Sequence, residues 1–338
     1  MTSSDLFFSF VYEFLNIYLP NIMCRSTNTI SSYVDTLSLF RRYVKEQGKG
    51  VNDFLFSECT RDFVYGFSRF LMDNGNKPST VRIRLAGLKS YISFCASKDI
   101  SIQSVSLWAS TVKSPSSEKL EKRTLSPEQV VLMLKCFPNT ELGYRNKVVL
   151  IMLYETAMRV SELISLKVGN LIFTSATPAV FIKGKGKKER YVPLSQDTSK
   201  IVATYIAKVH GSNPDSDVFL FFTNHHDSRC MISTRAIQLM LDKVASKASS
   251  IDPSFPKNIY PHMLRRSKAT TMFQNGTPIY LVSAILGHSK LETTKIYAKP
   301  SLEMLASELV KCEHPDNRSL KPVWCGKEEE MAKKMGLR

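Results

Sequence analysis

Apolar residues in the first third of the chain recur at helical spacing. Across residues 27–48 they fall near positions i, i+3, i+4 and i+7, which predicts an amphipathic helix. Further helices are predicted over residues 60–73 and 81–97. The opening stretch, residues 6–19, is apolar and aromatic, and we expect it to be a buried helix. This part of the chain is therefore predicted to be a small all-helical domain.

A polar stretch separates this domain from a second one of different pattern. Residues 113–124 have almost no apolar content and are predicted to be an exposed linker. Ser126, Pro127 and Gln129 then form the signature of a helix start with a capping box. Further helices are predicted at residues 144–155, 160–166, 198–209, 234–248 and from 262 onward. Short strands are predicted at residues 171–173, 179–183 and 190–194.

These patterns predict a mostly α protein with a small antiparallel β-sheet, in which an all-helical N-terminal domain precedes an α+β domain. The bounds that we expect are 1–112 for the helical domain, 113–124 for the linker, 125–311 for the α+β domain and 312–338 for a polar tail. The tail either contacts another protomer or packs within its own chain, and the sequence leaves both possibilities open.

The charge of the chain indicates a polyanionic partner. The formal net charge is +16, from 46 basic and 30 acidic residues, which favours nucleic acid or an anionic membrane surface. The longest apolar stretch, residues 148–154, is far shorter than the about 20 residues that span a bilayer, so we expect no membrane partner. The seven cysteines form no C-x-x-C pair, which indicates reduced thiols and a cytoplasmic location.

Basic residues recur on successive helices of the first domain. A solvated helix surface explains any one of them, but their recurrence favours DNA binding. The candidate DNA-binding residues are Arg41, Arg42, Lys45, Arg82, Arg84 and Lys89.

Four short segments of the second domain carry residues that suit phosphoryl transfer. They are TAMRVSEL with Arg159, KGKGKKERYVPL with Lys185, HMLRRSKATTM with His262 and Arg265, and LGHSKLETTKIY with His288 and Tyr297. Guanidinium groups suit the negative charge that builds on a phosphate under attack. A tyrosine can attack phosphorus if a neighbouring group takes its proton, and a lysine or histidine can move protons. This set needs no metal and no cofactor.

The four segments resemble the tyrosine recombinase family, which includes the Xer-type recombinases and phage integrases. Arg159 matches the first arginine of the family's catalytic set, and Lys185, in its Gly-Lys-Gly turn, resembles the family's general-acid lysine. The H-x-L-R box contains His262 and Arg265, and the G-H box contains His288, with Tyr297 following at the family's distance. The helical N-terminal half fits the family's core-binding domain by architecture only.

Four details of these segments concern how well they fit the family's pattern. Ala157 stands where the family usually has glycine, and we expect this small-for-small change to be tolerated. Arg266 stands where many members have histidine, which we expect to affect local packing. Lys183 is an alternative to Lys185 as the general acid. Tyr280 is predicted to be buried in an apolar stretch, whereas Tyr297 follows a polar segment, which favours Tyr297 as the nucleophile.

The resemblance implies a site-specific DNA recombinase. In its reaction Tyr297 forms a 3′-phosphotyrosine link, Lys185 protonates the leaving 5′-hydroxyl, and the DNA is held from both sides. The resemblance also implies that the partner is double-stranded DNA with a specific recombination site, bound by a homotetramer on two such sites. Because no arm-binding domain is evident before residue 25, we expect a simple recombinase or an enzyme of a mobile element, active in transposition.

Other functions remain open at this level. A type IB topoisomerase shares the chemistry, and a non-catalytic DNA-binding regulator could share the fold. A metal-dependent nuclease needs acidic ligands that these segments lack. His225, His226 and Cys230 do not predict a zinc site, because they lack a second cluster. We expect a loop there, between a strand and a helix.

Overall fold

The computed structural model describes residues 5–116, 123–173, 177–184, 189–225, 228–287 and 294. The chain divides into two compact units, Met1–Glu121 and Lys122–Arg338. The division falls within the stretch that the sequence suggests as a linker. Each unit has its own buried apolar core.

The regular elements of the N-terminal unit are helices, and an isolated β-bridge joins Leu6 to Leu55. Its α-helices are α1 (Val11–Glu13), α2 (Thr27–Glu46), α3 (Arg61–Asp73), α4 (Pro78–Lys98) and α5 (Gln103–Thr111). The sequence predicted α2, α3 and α4 to within a few residues at each end, whereas α5 was not predicted.

The opening segment places Phe7, Phe14 and Leu19 in the core but leaves Tyr12 and Ile17 exposed, so it is only partly buried, and it is not one α-helix. After the short α1, residues Phe14–Ile22 form a π-helix that contains Pro20. Proline has no N–H to donate to the preceding helical turn, and the N–H of Met23 bonds to the carbonyl of Tyr18 at 2.9 Å, five residues back. The prediction of a regular helix over residues 6–19 was therefore wrong in its backbone geometry.

Aromatic side chains form much of the core of the N-terminal unit. Phe7 is fully buried, and its ring centroid lies 4.9 Å from that of Phe40 and 5.0 Å from that of Phe56. The hydroxyl of Tyr91 donates to the carbonyl of Phe7 at 2.6 Å, which satisfies its only donor inside the core.

The second unit combines helices with two small antiparallel sheets. Its helices are α6 (Pro127–Lys135), α7 (Glu141–Glu155), α8 (Val160–Ile164), α9 (Gln196–Val209), α10 (Thr234–Ile251), α11 (Pro261–Gln274) and α12 (Ile279–Leu286). Its strands are β1 (Leu171–Ile172), β2 (Ala179–Lys183), β3 (Glu189–Pro193), β4 (Phe222–His225) and β5 (Ser228–Met231). The predicted capping box is present at α6, where the N–H of Gln129 donates to Ser126 Oγ at 3.3 Å.

The first sheet has the strand order β1-β2-β3, with both pairs antiparallel. Val180 lies opposite Val192, and Lys183 lies opposite Glu189. Strand β2 was predicted with these bounds, and β3 to within one residue. The prediction of a mostly α fold with a small antiparallel sheet is confirmed.

The second sheet was not predicted. Strands β4 and β5 pair from Phe222 with Met231 to His225 with Ser228, where the sequence suggested a loop. All four residues of β5 are exposed, so the segment lacks the alternation of apolar and polar residues that reveals a half-buried strand.

No helix among the described residues combines the length and the apolar character needed to cross a membrane.

We expect Phe7→Ala to lower the free energy of unfolding of the N-terminal unit by about 3 to 5 kcal/mol, because it removes the aromatic side chain from a closely packed core. Urea unfolding followed by circular dichroism measures the change. The control is Tyr12→Ala, because Tyr12 is 73% exposed and its replacement should change stability by no more than about 0.5 kcal/mol. Equal effects of the two substitutions would contradict this view of the core.

Candidate active site

Arg265 lies at the centre of the candidate site. It is on α11 and only 1% exposed. Its Nη1 donates to the carbonyl of Ala157 at 2.6 Å, and its Nη2 donates to the carbonyl of Leu286 at 2.5 Å. One guanidinium group therefore joins the turn that precedes Arg159 to the end of α12, which precedes Gly287. A small apolar cluster is buried here and consists of Ala157, Ala269, Val282 and Leu286.

Arg159 is the N-cap residue of α8. Its backbone N–H donates to Glu162 Oε2 at 2.8 Å, and its Nη1 donates to Glu162 Oε1 at 2.8 Å. The ion pair with Glu162, three positions further along the chain, gives Arg159 a structural role. However, the side chain of Arg159 is still 38% exposed, so that it reaches solvent as a substrate-binding group must.

Ala157 has a left-handed backbone, with φ of +49°. This conformation costs a residue other than glycine roughly 1 to 2 kcal/mol. The glycine of the family pattern therefore serves the backbone conformation of this turn as well as its size. Replacing that glycine by alanine therefore adds backbone strain at residue 157, besides the small change of volume that the sequence indicates.

Glu162 is a buried carboxylate, 5% exposed, that two arginines share. Arg190, from β3, donates through Nη2 to Oε2 at 2.8 Å and through Nη1 to Oε1 at 3.1 Å. Burial by itself raises the pKa of Glu162, but the hydrogen bonds from Arg190 and Arg159 outweigh it and hold the pKa below its usual range. The carboxylate is therefore ionised at neutral pH.

Arg190 has a third contact, which the sequence analysis missed. Its Nε donates to the carbonyl of Ile285 at 2.9 Å, near the end of α12. A signal for it existed in the strand pattern. In β3 the inward positions are those of Arg190 and Val192, and the positions between them are exposed. An arginine on the inward face of a strand indicates a buried carboxylate partner.

Gly287 ends α12 in a left-handed conformation, with φ of +63°. A Cβ at this position would lie 3.0 Å from Arg190 Nη1 and 3.1 Å from Arg190 Cδ. The glycine of the G-H box is thus required both for its backbone conformation and for the close approach of Arg190.

Of the remaining residues in the predicted catalytic set, only His262 lies within the described residues. His262 is the second residue of α11, and its side chain is exposed. Lys185, His288 and Tyr297 lie outside the described residues. Lys183, the alternative general acid, ends β2 with an exposed side chain, and its Nζ lies 5.7 Å from the ring centroid of Phe181. The structure therefore brings together the segments of Arg159 and Arg265, and the roles of all six residues stay predictions.

The prediction that Tyr280 is buried was wrong. Its side chain is 62% exposed, because the buried face of α12 consists of Val282, Ser283 and Leu286. Tyr280 lies well away from that face at 100° per residue. Burial therefore does not exclude Tyr280 as a nucleophile, and the prediction of Tyr297 depends on the G-H box and its spacing.

Arg266 is buried, and its Nη1 lies 3.5 Å from the carbonyl of Arg123. This contact with the backbone at the start of the unit agrees with the packing role suggested for it.

Several of the predicted DNA-binding residues line one cleft of the N-terminal unit, of about 830 Å³. Arg41 and Lys45 are exposed there. Arg42 is paired with Glu46 at 3.4 Å. The basic residues that line this cleft are Arg41, Arg42, Lys45, Lys49 and Arg84.

The three candidate DNA-binding residues on α4, Arg82, Arg84 and Lys89, do not form one common basic surface. Arg84 donates to the carbonyl of Ser32 on α2 at 2.9 Å. Lys89 donates to the carbonyl of Val112 at 2.6 Å and so caps the end of α5. Arg82 is exposed. The side chains of Arg84 and Lys89 thus contact different helices.

Among the described residues, no group of three histidine, cysteine or acidic side chains is arranged to hold a metal ion. Cys230 is exposed on β5, and His226 lies outside the described residues.

Comparison with known proteins gives the family. The model of the phage integrase family matches residues 123–304, and that of the phage integrase SAM-like domain matches residues 6–105. The chain belongs to the phage integrase family. It is thus a tyrosine-type DNA recombinase, an enzyme that transfers DNA strands at specific sites, and the topoisomerase alternative is not favoured.

Two relatives show how far the similarity of this recombinase extends. It is 32% identical over 276 residues to the tyrosine recombinase XerD of Oceanobacillus iheyensis, which covers 80% of this chain and 87% of that protein. It is 28% identical over 308 residues to the tyrosine recombinase XerC of Chlamydia caviae, which covers 87% of this chain and 95% of that protein.

Solved structures share the fold of this recombinase. The XerH site-specific recombinase bound to its difH substrate has a TM-score of 0.62 at 21% identity, over 84% of this chain and 79% of that one. The Tn1549 transposon integrase in complex with transposon right end DNA has a TM-score of 0.67 at 17% identity, over 92% of this chain and 99% of that one.

We expect Glu162→Gln to lower the free energy of unfolding of the second unit by about 3 to 5 kcal/mol at pH 7, because two arginines lose their buried counter-charge. The wild-type pKa of Glu162 lies below that of an unfolded glutamate, about 4.3. The stabilisation from this carboxylate is thus complete above that pH and is lost as the pH falls through the folded pKa. The difference in the free energy of unfolding between wild type and variant should therefore be smaller at pH 3 than at pH 7.

Urea unfolding at pH 7 and pH 3 measures this difference. The control is Asp217→Asn, because the pKa of Asp217 is also lowered, by its hydrogen bond with Lys167, yet its side chain is 80% exposed. This substitution should leave stability at pH 7 unchanged. A difference for Glu162→Gln that is the same at both pH values would be inconsistent with an ionised, shared carboxylate.

Proposed function

We propose that this recombinase breaks and rejoins double-stranded DNA through a covalent link to Tyr297. The observation that carries the proposal is the convergence of the Arg159 turn and the end of α12 on the buried guanidinium of Arg265. This convergence places the segments of two separate family boxes side by side. A phosphate bound there would meet cationic groups that are already oriented, which is how enzymes stabilise the charge of a transition state.

The roles of the individual residues follow from their chemistry. Arg159, Arg265 and His288 bind the scissile phosphate, and His262 accepts the proton of the Tyr297 hydroxyl. The phenol oxygen attacks phosphorus and forms a 3′-phosphotyrosine link, while the bond to the 5′-oxygen breaks. Lys185 gives a proton to that leaving 5′-oxygen. The 5′-hydroxyl of a partner strand then attacks the phosphotyrosine and restores the tyrosine, so that the reaction conserves its bond energy and needs no ATP.

Each part of the chain, with the bounds predicted from the sequence, has its own role in this proposal. Residues 1–112 form a core-binding domain that contacts DNA, 113–124 a linker, 125–311 the catalytic domain, and 312–338 a tail that contacts another protomer. The XerH and Tn1549 structures hold DNA, which supports DNA as the partner here.

Three further features belong to the same proposal. The recombinase acts as a homotetramer on two DNA sites, and it serves a mobile element. It works in the cytoplasm, which agrees with the free thiols of its described cysteines, namely Cys24, Cys59, Cys95, Cys136 and Cys230.

We expect Tyr297→Phe to abolish the covalent adduct with nicked duplex DNA, because phenylalanine has no oxygen to attack phosphorus. The substrate is a pool of nicked duplexes with a randomised core, from which the wild type captures its own site as a covalent complex. Gel electrophoresis under denaturing conditions measures the adduct, and mass spectrometry identifies the linked peptide.

The matched control is Tyr280→Phe, because Tyr280 is an exposed tyrosine on α12 and precedes Tyr297 in the sequence. This variant should form the adduct at the wild-type rate. Loss of the adduct in Tyr280→Phe and its retention in Tyr297→Phe would exchange the two assignments. No adduct from the wild type with any duplex would instead favour the non-catalytic regulator.

We expect the double variant Arg41→Gln, Lys45→Gln to weaken DNA binding in a salt-dependent way, because it removes two exposed charges of the cleft. If each side chain contacts one phosphate, the slope of log affinity against log salt becomes shallower by about 1.8. Fluorescence anisotropy at several salt concentrations measures this slope.

The control for charge alone is Arg69→Gln, Lys77→Gln, which removes two exposed charges of the same unit outside the cleft. Its slope should stay at the wild-type value. An equal change in both double variants would show that net charge, rather than this cleft, determines the affinity.

A further inference from the structure

We infer that Arg190 is a positioning residue of the recombination reaction, which holds Arg159 in place through Glu162 and ties both to the end of the helix that leads to His288. This inference rests on the proposed function, because it assigns Arg190 a role only if Arg159 binds the scissile phosphate.

The contacts of Arg190 are with protein groups. Its Nη1 and Nη2 donate to the two carboxylate oxygens of Glu162, and its Nε donates to the carbonyl of Ile285. Its side chain is 11% exposed, against 38% for Arg159. All three guanidinium nitrogens of Arg190 thus donate to protein groups and hold those groups in place, whereas Arg159 also reaches solvent.

Arg159 and Arg190 each donate hydrogen bonds to both oxygens of the Glu162 carboxylate. Glu162 Oε1 accepts from both guanidinium groups, and Oε2 accepts from Arg190 and from the backbone N–H of Arg159. Without Arg190 the carboxylate would keep only its bonds to Arg159 and would lose the partners that hold it from β3, so that the guanidinium of Arg159 would be held less firmly. A displacement of about 1 Å at a reacting centre can lower a rate on the order of 100-fold.

Arg190 also connects three elements of the site. It lies on β3, the strand that follows Lys185 in the sequence, and it contacts α8 through Glu162 and α12 through Ile285. Gly287 leaves room for it, because a Cβ there would lie 3.0 Å from its Nη1. One side chain thus couples the hairpin of the proposed general acid, the phosphate-binding arginine and the entry to the G-H box.

Lysine cannot replace these contacts. Its ammonium is a compact charge on a flexible stem, whereas the guanidinium fork can bond two carboxylate oxygens and a carbonyl in fixed directions. Arg190→Lys therefore keeps the positive charge beside Glu162 but removes the geometry, which makes it a sharper test than loss of the charge.

The experiment uses the full chain and the nicked duplex that the wild type captures from the randomised pool. The rate of covalent adduct formation is measured in a single turnover, together with the affinity for the same duplex. We expect Arg190→Lys and Arg190→Met to lower the rate on the order of 100-fold with unchanged affinity. Wild-type rates in both variants would overturn the inference while leaving the proposed function intact.

The matched control is Arg145→Met. Arg145 is a part-buried arginine of the same unit whose Nη1 donates to the carbonyl of Phe222 at 3.2 Å, on β4. Its replacement removes a comparable contact between an arginine and a backbone carbonyl outside the site, so it should leave the rate at the wild-type value. A rate for Arg145→Met as low as those of the Arg190 variants would assign the loss to general destabilisation and overturn the inference.

A second substrate separates positioning from structure. In it, one non-bridging oxygen of the scissile phosphate is replaced by a methyl group, which removes the charge that Arg159 stabilises. If Arg190 acts through Arg159, the ratio of wild-type to Arg190→Lys rates shrinks on this neutral substrate. An equal ratio on both substrates would overturn the inference, even if Arg190→Met fails to fold.

The carboxylate provides an independent check. The double variant Arg190→Lys, Glu162→Gln should be no slower than Glu162→Gln alone, because Arg190 acts on Arg159 through that carboxylate. If the double variant instead forms the adduct more slowly than Glu162→Gln by the same factor that Arg190→Lys shows alone, Arg190 acts by another route, which would overturn the inference. If the wild type itself forms no adduct, the proposed function fails, and that result differs from every outcome in which wild type is active.

Discussion

The carboxylate of Glu162, buried between two guanidinium groups, is the interaction on which the site depends. A charge inside a protein is stable only when partners replace its lost hydration. Glu162 has those partners from α8 and from β3, and Arg190 extends the contact to α12. Because each partner must stay in place to satisfy the charge, the electrostatic requirement becomes a geometric one, and three elements keep a single arrangement.

Arg265 makes a second connection in the same region. It reaches the carbonyls of Ala157 and Leu286, one just before α8 and the other at the end of α12. Arg190 and Arg265 thus hold the end of α12 at adjacent carbonyls, those of Ile285 and Leu286. Since Gly287 follows α12 directly, these bonds hold the end of the helix that precedes the glycine of the G-H box. Cationic groups that the fold has already oriented need little rearrangement when negative charge develops.

Prediction from sequence succeeded where one local signal was enough. The strand bounds of β2 and the capping box at Ser126 come from patterns within a few residues. It failed where the partner is remote. Arg190 belongs to the site because of a carboxylate 28 positions away in the chain. Tyr280 is exposed because the face of α12 that packs against the unit carries Val282, Ser283 and Leu286, and Tyr280 does not lie on that face.

The sequence by itself determined the family boxes, the first sheet, most of the helices and the division of the chain into a helical part and an α+β part. These follow from hydrophobic spacing and from motifs that are continuous in the chain. Only the tertiary structure decided that Arg84 and Lys89 contact different helices, that Ala157 has a left-handed backbone, and that Arg190 shares Glu162 with Arg159. The physical reason is that hydrogen bonds and ion pairs act over a few ångströms in space, whatever the distance along the chain.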